Sequence, residues 1–408
     1  MKFDDYRISP KIKNRLSELG FKRPTDIQFK SIPAILKGED VFAIAQTGTG
    51  KTAAFVIPIL ELVDLNIMKL RTKGLQCLVL VPTRELALQI TEVFSQIGKD
   101  LSIKTACVYG GVDQDPQINK LLGGAQIVVA TPGRMFDLTA QGYLKLNQLN
   151  HLVLDEADLM LDLGFKKDIQ DLIRKLPKKR QTLFFSATIT KKIKSFAYDI
   201  VRDALRIQIS PKNPVAKTID HAVISIEMDD KRLFLENILK QYPDSKFVVF
   251  VRTKIRAERV VAAMKRVGLD SEFLHGGLDQ KDRLLVLNRF RESKNRALVT
   301  TDVAARGIDI PNVEYVINYD LPELPENYVH RVGRTGRGNQ RGQALSFCSE
   351  QEKVFLEEIQ TYTGEEIEQY DISSGDYREI MAESDDETNN WKKLMKNADK
   401  EDGTEEIW

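Results

Sequence analysis

Cysteine, tryptophan, net charge and long apolar runs are all scarce in this sequence. Of 408 residues, three are cysteine and two are tryptophan. Cys77, Cys107 and Cys348 lie in different apolar segments with no metal-ligand spacing, so buried free thiols are expected rather than zinc ligands or a disulfide framework. The longest apolar runs, such as 78–81 and 247–251, fall far short of the ~20 residues that span a bilayer. The opening Met1-Lys2-Phe3-Asp4-Asp5-Tyr6 lacks the basic-then-apolar pattern of a secretory signal, and a cytoplasmic location is expected. Lys plus Arg number 60 against 59 Asp plus Glu, a net charge of +1. Nucleic-acid binders usually carry a basic excess that neutralises phosphates, and on average this chain has none.

What the chain does have is an ordinary 42% of hydrophobic residues, which excludes a disordered or fibrous protein, and enough length for two or three domains. Short β-branched runs alternate with helical patterns, as in βαβ units around a mainly parallel sheet. One series comprises 40–45, 77–81, 105–109, 126–130, 151–154, 182–185 and 206–209; a second comprises 222–226, 246–251, 271–274, 296–300, 314–318 and 344–348. The expected class is therefore α/β, with domains at 1–209 and 218–370. Residues 210–217, with two prolines and no periodicity, read as the linker. No repeat of 20–50 residues is evident, and the two halves are candidates for distant copies of one fold. From Asp371 the strand-like runs stop, and 371–408 reads as an acidic, flexible tail of net charge −7 that leaves +8 on residues 1–370. Both tryptophans, Trp391 and Trp408, fall in that tail.

Residues 40–44 read as a buried strand, after which Ala45-Gln46-Thr47-Gly48-Thr49-Gly50-Lys51-Thr52 leads into a helix. In such a glycine-rich turn, backbone N–H groups surround phosphate oxygens, Lys51 reaches the β and γ phosphates, and the Thr52 hydroxyl is offered to Mg²⁺. Alone, an ordinary strand-to-helix turn reads the same way. The apolar strand 151–154, however, ends in Asp155-Glu156-Ala157-Asp158. Ligands of a parallel sheet sit outside the carboxyl ends of its strands, so these acids and the loop can face one pocket. Asp155 is then placed to hold Mg²⁺, partly through water, and Glu156 to orient or deprotonate an attacking water. The competing reading is a solvated acidic helix start.

These elements resemble the DEAD-box RNA helicases of helicase superfamily 2, over roughly residues 1–370. The resemblance implies two tandem RecA-like domains, ATP and Mg²⁺ as cofactors, and RNA as a partner gripped through sequence-independent backbone contacts. Adenine recognition would map onto 20–28, with Gln28 on the adenine edge, Phe21 stacked on the ring and Phe3 as the upstream aromatic. Thr47, Gly48, Thr49 and Gly50 would complete the phosphate loop. Asp309 would bind ribose, and Arg334 and Arg337 would be arginine fingers that stabilise the transferring phosphoryl group. Asp158, Ser186, Thr188, Arg306 and His330 would couple hydrolysis to strand separation.

RNA contacts would come from Pro82, Thr83, Arg84, Gly110, Gly111, Thr131, Gly133 and Arg134 in the first domain. In the second they would come from Arg252, Thr253, Gln280, Arg283, Thr301 and Asp302. Gly277 and Leu159 depart from the acidic and basic residues usual at those places. The remaining histidines, His151, His221 and His275, are expected to be structural. The implied activity is an RNA-dependent ATPase whose two domains close around ATP and RNA, separate a short duplex or remodel an RNA–protein complex, and reopen after hydrolysis. An ATP-gated RNA clamp with little unwinding carries the same motifs, and a DNA helicase is disfavoured by the glutamine element. The chain is expected to be a monomer, with the acidic tail a possible handle for a protein partner.

Overall fold

The computed structural model describes residues 2–46, 48–70, 74–209, 215–216, 218–294, 296–305, 308, 310, 313–336, 341–370 and 372–382. Most of the expected linker, the tail beyond Ala382, and the expected site residues Thr47, Arg306, Asp309 and Arg337 lie outside these. The chain folds as two compact units that change over near Val215.

In the N-terminal unit the strands are β1 (Val41–Ala45), β2 (Cys77–Leu80), β3 (Thr105–Val108), β4 (Ile127–Ala130), β5 (His151–Leu154), β6 (Gln181–Ser186) and β7 (Leu205–Ile209). All pair in parallel, in the order β3-β4-β2-β5-β6-β1-β7. The inner strands are near-continuous apolar runs because helices cover both faces, the usual condition of a parallel sheet, whereas the edge strand β7 alternates and is largely exposed. The period of two is still visible in the packing: Val41, Ala43 and Ala45 enter one core cluster, whereas Phe42 and Ile44 enter the other.

The C-terminal unit contains β8 (Ile219–Ser225), β9 (Phe247–Phe250), β10 (Ser271–Leu274), β11 (Ala297–Thr300), β12 (Tyr315–Asn318), β13 (Gly342–Cys348) and β14 (Glu368–Tyr370). Its order, β10-β11-β9-β12-β13-β8-β14, repeats that of the first sheet strand for strand. All its pairings are parallel too. The two halves thus share one topology, as their sequence spacing suggested.

Two features escaped the sequence reading. Strand β14 is Glu-Gln-Tyr, an exposed edge strand paired with β8 alone, so it carries no apolar run to betray it. The region read as a flexible tail from 371 opens with a helix, Ser374–Ala382. Tyr377 donates to Asp230 Oδ2 at 2.6 Å and its ring lies 5.0 Å from Phe234, while Ile372 and Ile380 pack on the same core. Its apolar residues are too diluted by polar ones to give a helical pattern.

The three cysteines are free and buried, as expected, and burial pushes the Cys107 and Cys348 thiols up to about 11. No described helix is long and apolar enough to cross a membrane.

The C-terminal unit is tied together by a buried charge network. Lys231, 0% exposed, donates to the carbonyls of Tyr319 (2.9 Å) and Phe347 (3.2 Å) and pairs with Glu352. Glu352 also accepts from Ser349 N and Oγ, Leu321 N and Arg252 Nη2. Asp320 accepts from Arg252 N and Arg256 Nη1. Removing one member strands the others in a dry interior, so Lys231→Ala should destabilise the C-terminal unit by about 3–5 kcal/mol, measured by denaturant unfolding.

His151 is held by Gln181, with Nδ1 3.0 Å from Oε1. Burial lowers its pKa from 6.5 to about 4, against the opposing hydrogen bond. Between those values the unfolded chain takes up a proton that the folded chain refuses. Stability should therefore fall by about 3 kcal/mol as pH drops from about 6.5 to about 4. His151→Gln should flatten that part of a stability–pH curve.

Candidate active site and nucleic-acid surface

The strand order decides which loops meet. β5, β6 and β1 are adjacent, with Leu154 beside Phe184 and Ile44 beside Ser186. Their carboxyl ends therefore bring Asp155-Glu156, Ser186 and the phosphate loop side by side. The loop enters the helix Lys51–Leu70 through Gly48 and Gly50, both at positive φ (+81° and +94°).

At Gly50 the requirement is also steric: an added Cβ would stand 2.5 Å from Gln28 Nε2. That amide donates to Gly50 O at 3.1 Å, and Gln28 Oε1 accepts from Thr25 N at 3.1 Å. Gln28 is buried, so it bridges a helix start and the phosphate loop. Thr25 and Gln28 form a reciprocal capping box, a T-x-x-Q signal legible in the sequence that the motif reading passed over. Phe3 is buried against Phe21 in an edge-to-face pair, 5.8 Å between centroids. Thr49 Oγ1 donates to Gln46 O at 2.7 Å, which closes the turn on itself.

Lys51 is buried, yet its Nζ has no hydrogen-bond partner among the described residues. A buried ammonium is best completed by an anion that accepts its hydrogen bonds, and a phosphate group fits. Asp155 is likewise buried. Burial raises its pKa; Lys51 and the Glu156 N–H, 3.0 Å from Oδ1, oppose the rise, and Asp158 adds to it. Glu156 sits at φ 50°, ψ 49°, a left-handed conformation rare for a residue with a side chain; such strain gathers at functional sites.

No described cluster of three or more His, Cys, Asp or Glu could cage a metal. Mg²⁺ needs only one or two carboxylates besides water and phosphate oxygens, so Asp155 with the half-buried Thr52 fits that ion.

Asp158 faces the opposite way. Its Oδ2 accepts from Ala187 N (3.1 Å), Thr188 N (3.0 Å) and Thr188 Oγ1 (3.1 Å), and its Oδ1 from Leu159 N. Ser186 Oγ in turn donates to Thr188 O at 2.8 Å. The acidic turn after β5 is thereby tied to the loop after β6. Leu159, where the family is usually basic, is buried and packs as an apolar residue should.

The other half of the sheet, β3-β4-β2, carries the expected RNA contacts at the same edge. Arg84 lies against Gly110 and Gly111; a Cβ on Gly111, at φ +76°, would fall 2.1 Å from Arg84 Nη1. Arg134 Nη2 donates to Val112 O at 3.0 Å, and its buried Nη1 has no hydrogen-bond partner among the described residues. Thr83 is spent on capping the helix Arg84–Ile97. Thr131 precedes a helix, Pro132–Ala140, whose first turn holds Gly133, and Pro82 is buried beside Thr83.

The C-terminal unit repeats this placement. Arg252-Thr253 follows β9, His275 to Gln280 follows β10, and Thr301-Asp302 follows β11, the three adjacent strands equivalent to β2, β3 and β4. Several of these side chains are already engaged. Arg252 bonds Glu352 and Leu321 O, and Thr253 caps its helix. Asp302 receives both forks of Arg331, at 2.5 and 2.8 Å. Gln280 is buried, and Arg283 Nη1 donates to His275 O at 3.2 Å. His275 stacks on Phe273 and accepts from Gly277 N, and His221 is 2.9 Å from the Tyr328 hydroxyl; both are structural in placement.

Arg331, only 1% exposed, was missed by the sequence reading despite lying between His330 and Arg334. It also donates to Asn318 Oδ1 and Asp320 O. Arg334 Nε donates to His330 O at 3.2 Å, and Thr335 Oγ1 to the carbonyls of Val313 and Glu314. The arginine-rich turn is therefore held rigidly beside β12.

Two parallel sheets of one order, the first with a phosphate loop after β1 and paired acids after β5, define a P-loop nucleotide-hydrolysing protein with tandem RecA-like units. Residues 25–196 match the DEAD/DEAH box helicase family and residues 230–339 the helicase conserved C-terminal domain. The chain belongs to the DEAD/DEAH box helicase family. It is 41% identical over 373 residues to the ATP-dependent RNA helicase DbpA of Bacillus subtilis, covering 91% of this chain and 77% of that protein. To the ATP-dependent RNA helicase CshA of Listeria monocytogenes it is 40% identical, covering 89% and 69%. Among solved structures it resembles S. cerevisiae Dbp5 bound to RNA and ADP BeF3, with TM-score 0.82, 32% identity, and coverage of 93% of this chain and 97% of that one.

Gly111→Ala should displace Arg84 and strain the turn. Its expected effect is RNA affinity lowered by about 1–2 kcal/mol with a shallower salt dependence and unchanged ATP binding, read by RNA titrations at several salt concentrations.

Proposed function

We propose that this chain is an ATP-dependent RNA helicase that uses RNA-stimulated ATP hydrolysis to separate short duplexes or remodel RNA–protein complexes. The observation that carries this reading is Asp158: one carboxylate accepts three hydrogen bonds from Ala187 and Thr188. It thus links the acids beside the phosphate loop to the loop after β6, which carries none of the residues proposed to hold the nucleotide. A plain ATPase has no need of that link. The names of the relatives support the same reading.

In the proposed mechanism Lys51 supplies positive charge to the β and γ phosphates, and the N–H groups at the start of helix Lys51–Leu70 add theirs. Thr52 and Asp155 would hold Mg²⁺, which when bound neutralises charge on the phosphate oxygens. The fixed backbone of Glu156 aims its carboxylate, which orients the attacking water and takes its proton. Gln28 and Phe21 select the base, with Phe3 behind them. Arg334, Arg337 and Asp309 are proposed to act on the γ-phosphoryl and the ribose, and Arg306 and His330 to report the state of the nucleotide. Arg84, Gly110, Gly111, Thr131, Gly133 and Arg134 grip phosphate and sugar; such contacts position RNA and carry no sequence information. The chain is proposed to act as a cytoplasmic monomer, with the acidic tail open to a protein partner.

ATP turnover should rise on addition of RNA, and absence of stimulation by any RNA would exclude this function. Lys51→Ala should lower turnover by at least ~100-fold. Arg337→Ala should preserve ATP binding and lower turnover by ~10³-fold or more, resolved by comparing nucleotide-binding and hydrolysis assays.

Thr188→Ala removes one of the three bonds to Asp158 without touching Lys51, Asp155 or Glu156. It should retain most RNA-stimulated turnover while slowing strand displacement several-fold. Equal losses in both assays would contradict the coupling role.

A further inference from the structure

The C-terminal unit carries a groove of about 550 Å³, bounded by β8, β12, β13 and β14 and by the helices Lys231–Gln241 and Ser374–Ala382. Ile224, Ile238 and Leu345 give it apolar walls, and Tyr242, Tyr315 and Tyr370 add aromatic ones. Tyr242 and Tyr370 are 43% and 52% exposed, a large apolar outlay for a surface that holds none of the residues proposed for nucleotide or RNA contact. Two exposed carboxylates, Asp220 and Glu368, stand in the lining.

We propose that this groove is a docking site for the chain's own segment Asn390-Trp391-Lys392-Lys393-Leu394-Met395, with the Trp391 indole against the apolar walls and the lysines facing Asp220 and Glu368. Three observations select this occupant.

The first is connectivity. Ile380 lines the groove from helix Ser374–Ala382, so the chain leaves the groove's own wall. Trp391 follows nine residues after Ala382, within an extended reach of about 30 Å.

The second is charge. The tail as a whole is acidic, but four of its five basic residues, Lys392, Lys393, Lys396 and Lys400, lie within nine positions of Trp391. That local sign complements Asp220 and Glu368, whereas the acidic remainder of the tail would be repelled by them.

The third is the tether. A short flexible linker gives its ligand an effective concentration on the order of millimolar. A contact too weak to hold a free peptide therefore suffices in this chain. Trp is also the side chain best suited to a groove with an apolar floor and a polar rim.

The test uses the full chain with Trp408→Phe, which leaves Trp391 as its only indole. Its fluorescence and acrylamide quenching are compared with those of a free peptide of residues 386–400. Blue-shifted emission and quenching several-fold weaker than in the peptide are expected. Both should return toward the peptide's values in Glu368→Lys, which reverses a groove charge on an exposed strand, and in Leu345→Arg, which fills the floor. Unchanged RNA-stimulated ATP turnover verifies that each variant is folded. Emission and quenching equal to the peptide's overturn the proposal, as does protection that survives both groove variants. Protection lost on dilution also overturns it, because the indole would then be covered by a second copy of the chain.

Discussion

The parallel register of the two sheets is the constraint on which the rest of the structure depends. With every strand pair running the same way, each strand delivers its following loop to one edge. One reversed strand would send its loop to the opposite edge and out of the site. Adjacency then sorts the loops. In the first sheet β5-β6-β1 collect Asp155, Ser186 and the phosphate loop, while β3-β4-β2 collect Gly110-Gly111, Thr131 and Arg84. Because β2 and β5 are themselves neighbours, the proposed nucleotide and RNA contacts share one continuous edge. The second sheet repeats the order, and its β10-β11-β9 group carries His275, Thr301 and Arg252 at equivalent places.

Two buried lysines show how one residue type serves opposite ends. Lys231 is surrounded by carbonyls and carboxylates, so its desolvation is offset within the fold and it has nothing left to offer a ligand. Lys51 is also buried, but its Nζ lacks a hydrogen-bond partner among the described residues. That deficit, beside Asp155, is one that a phosphate oxygen would fill. Arg331 and Arg134 make a similar contrast: the first is bonded by Asp302, Asn318 and Asp320, and the second has one buried nitrogen without a hydrogen bond among the described residues. Satisfied cations hold the C-terminal unit together, whereas Lys51 and Arg134 keep a buried nitrogen that an anion could complete.

Much of the site was legible because its residues are contiguous. A buried strand that runs into Gly48-Thr49-Gly50-Lys51, or into Asp155-Glu156, states its own geometry: the strand is recognised by its apolar run and the loop by the glycines or acids after it. The strand order was not legible, since nothing local in 41–45 says that its neighbours are β6 and β7. Arg331 and Asp302 are 29 positions apart and meet only through the tertiary fold. Asp302 looked free for RNA in the sequence, whereas the structure commits its carboxylate to Arg331. Gln28 shows the intermediate case. Its family role was read from the motif, but its bond to Gly50 O depends on how the helix Asp26–Leu36 packs against the phosphate loop.

The net charge of +1 that argued against RNA binding is an average over unlike parts: +8 on residues 1–370 and −7 on the remainder. Contacts that ignore base identity gain affinity from every phosphate they meet, so a basic core alone would hold any RNA, and more tightly as salt falls. An acidic tail opposes this only if it stays near that core, because charges farther away than ~8 Å are screened at physiological ionic strength. A free chain end samples a much larger volume. Seating of Trp391 would confine the acidic run at 383–387 to a closed loop between helix Ser374–Ala382 and the groove. Its field would then act on the C-terminal unit and not on bulk solvent. On that proposal the basic residues around Trp391 and the acidic ones before it would have separate tasks, the first to anchor and the second to repel.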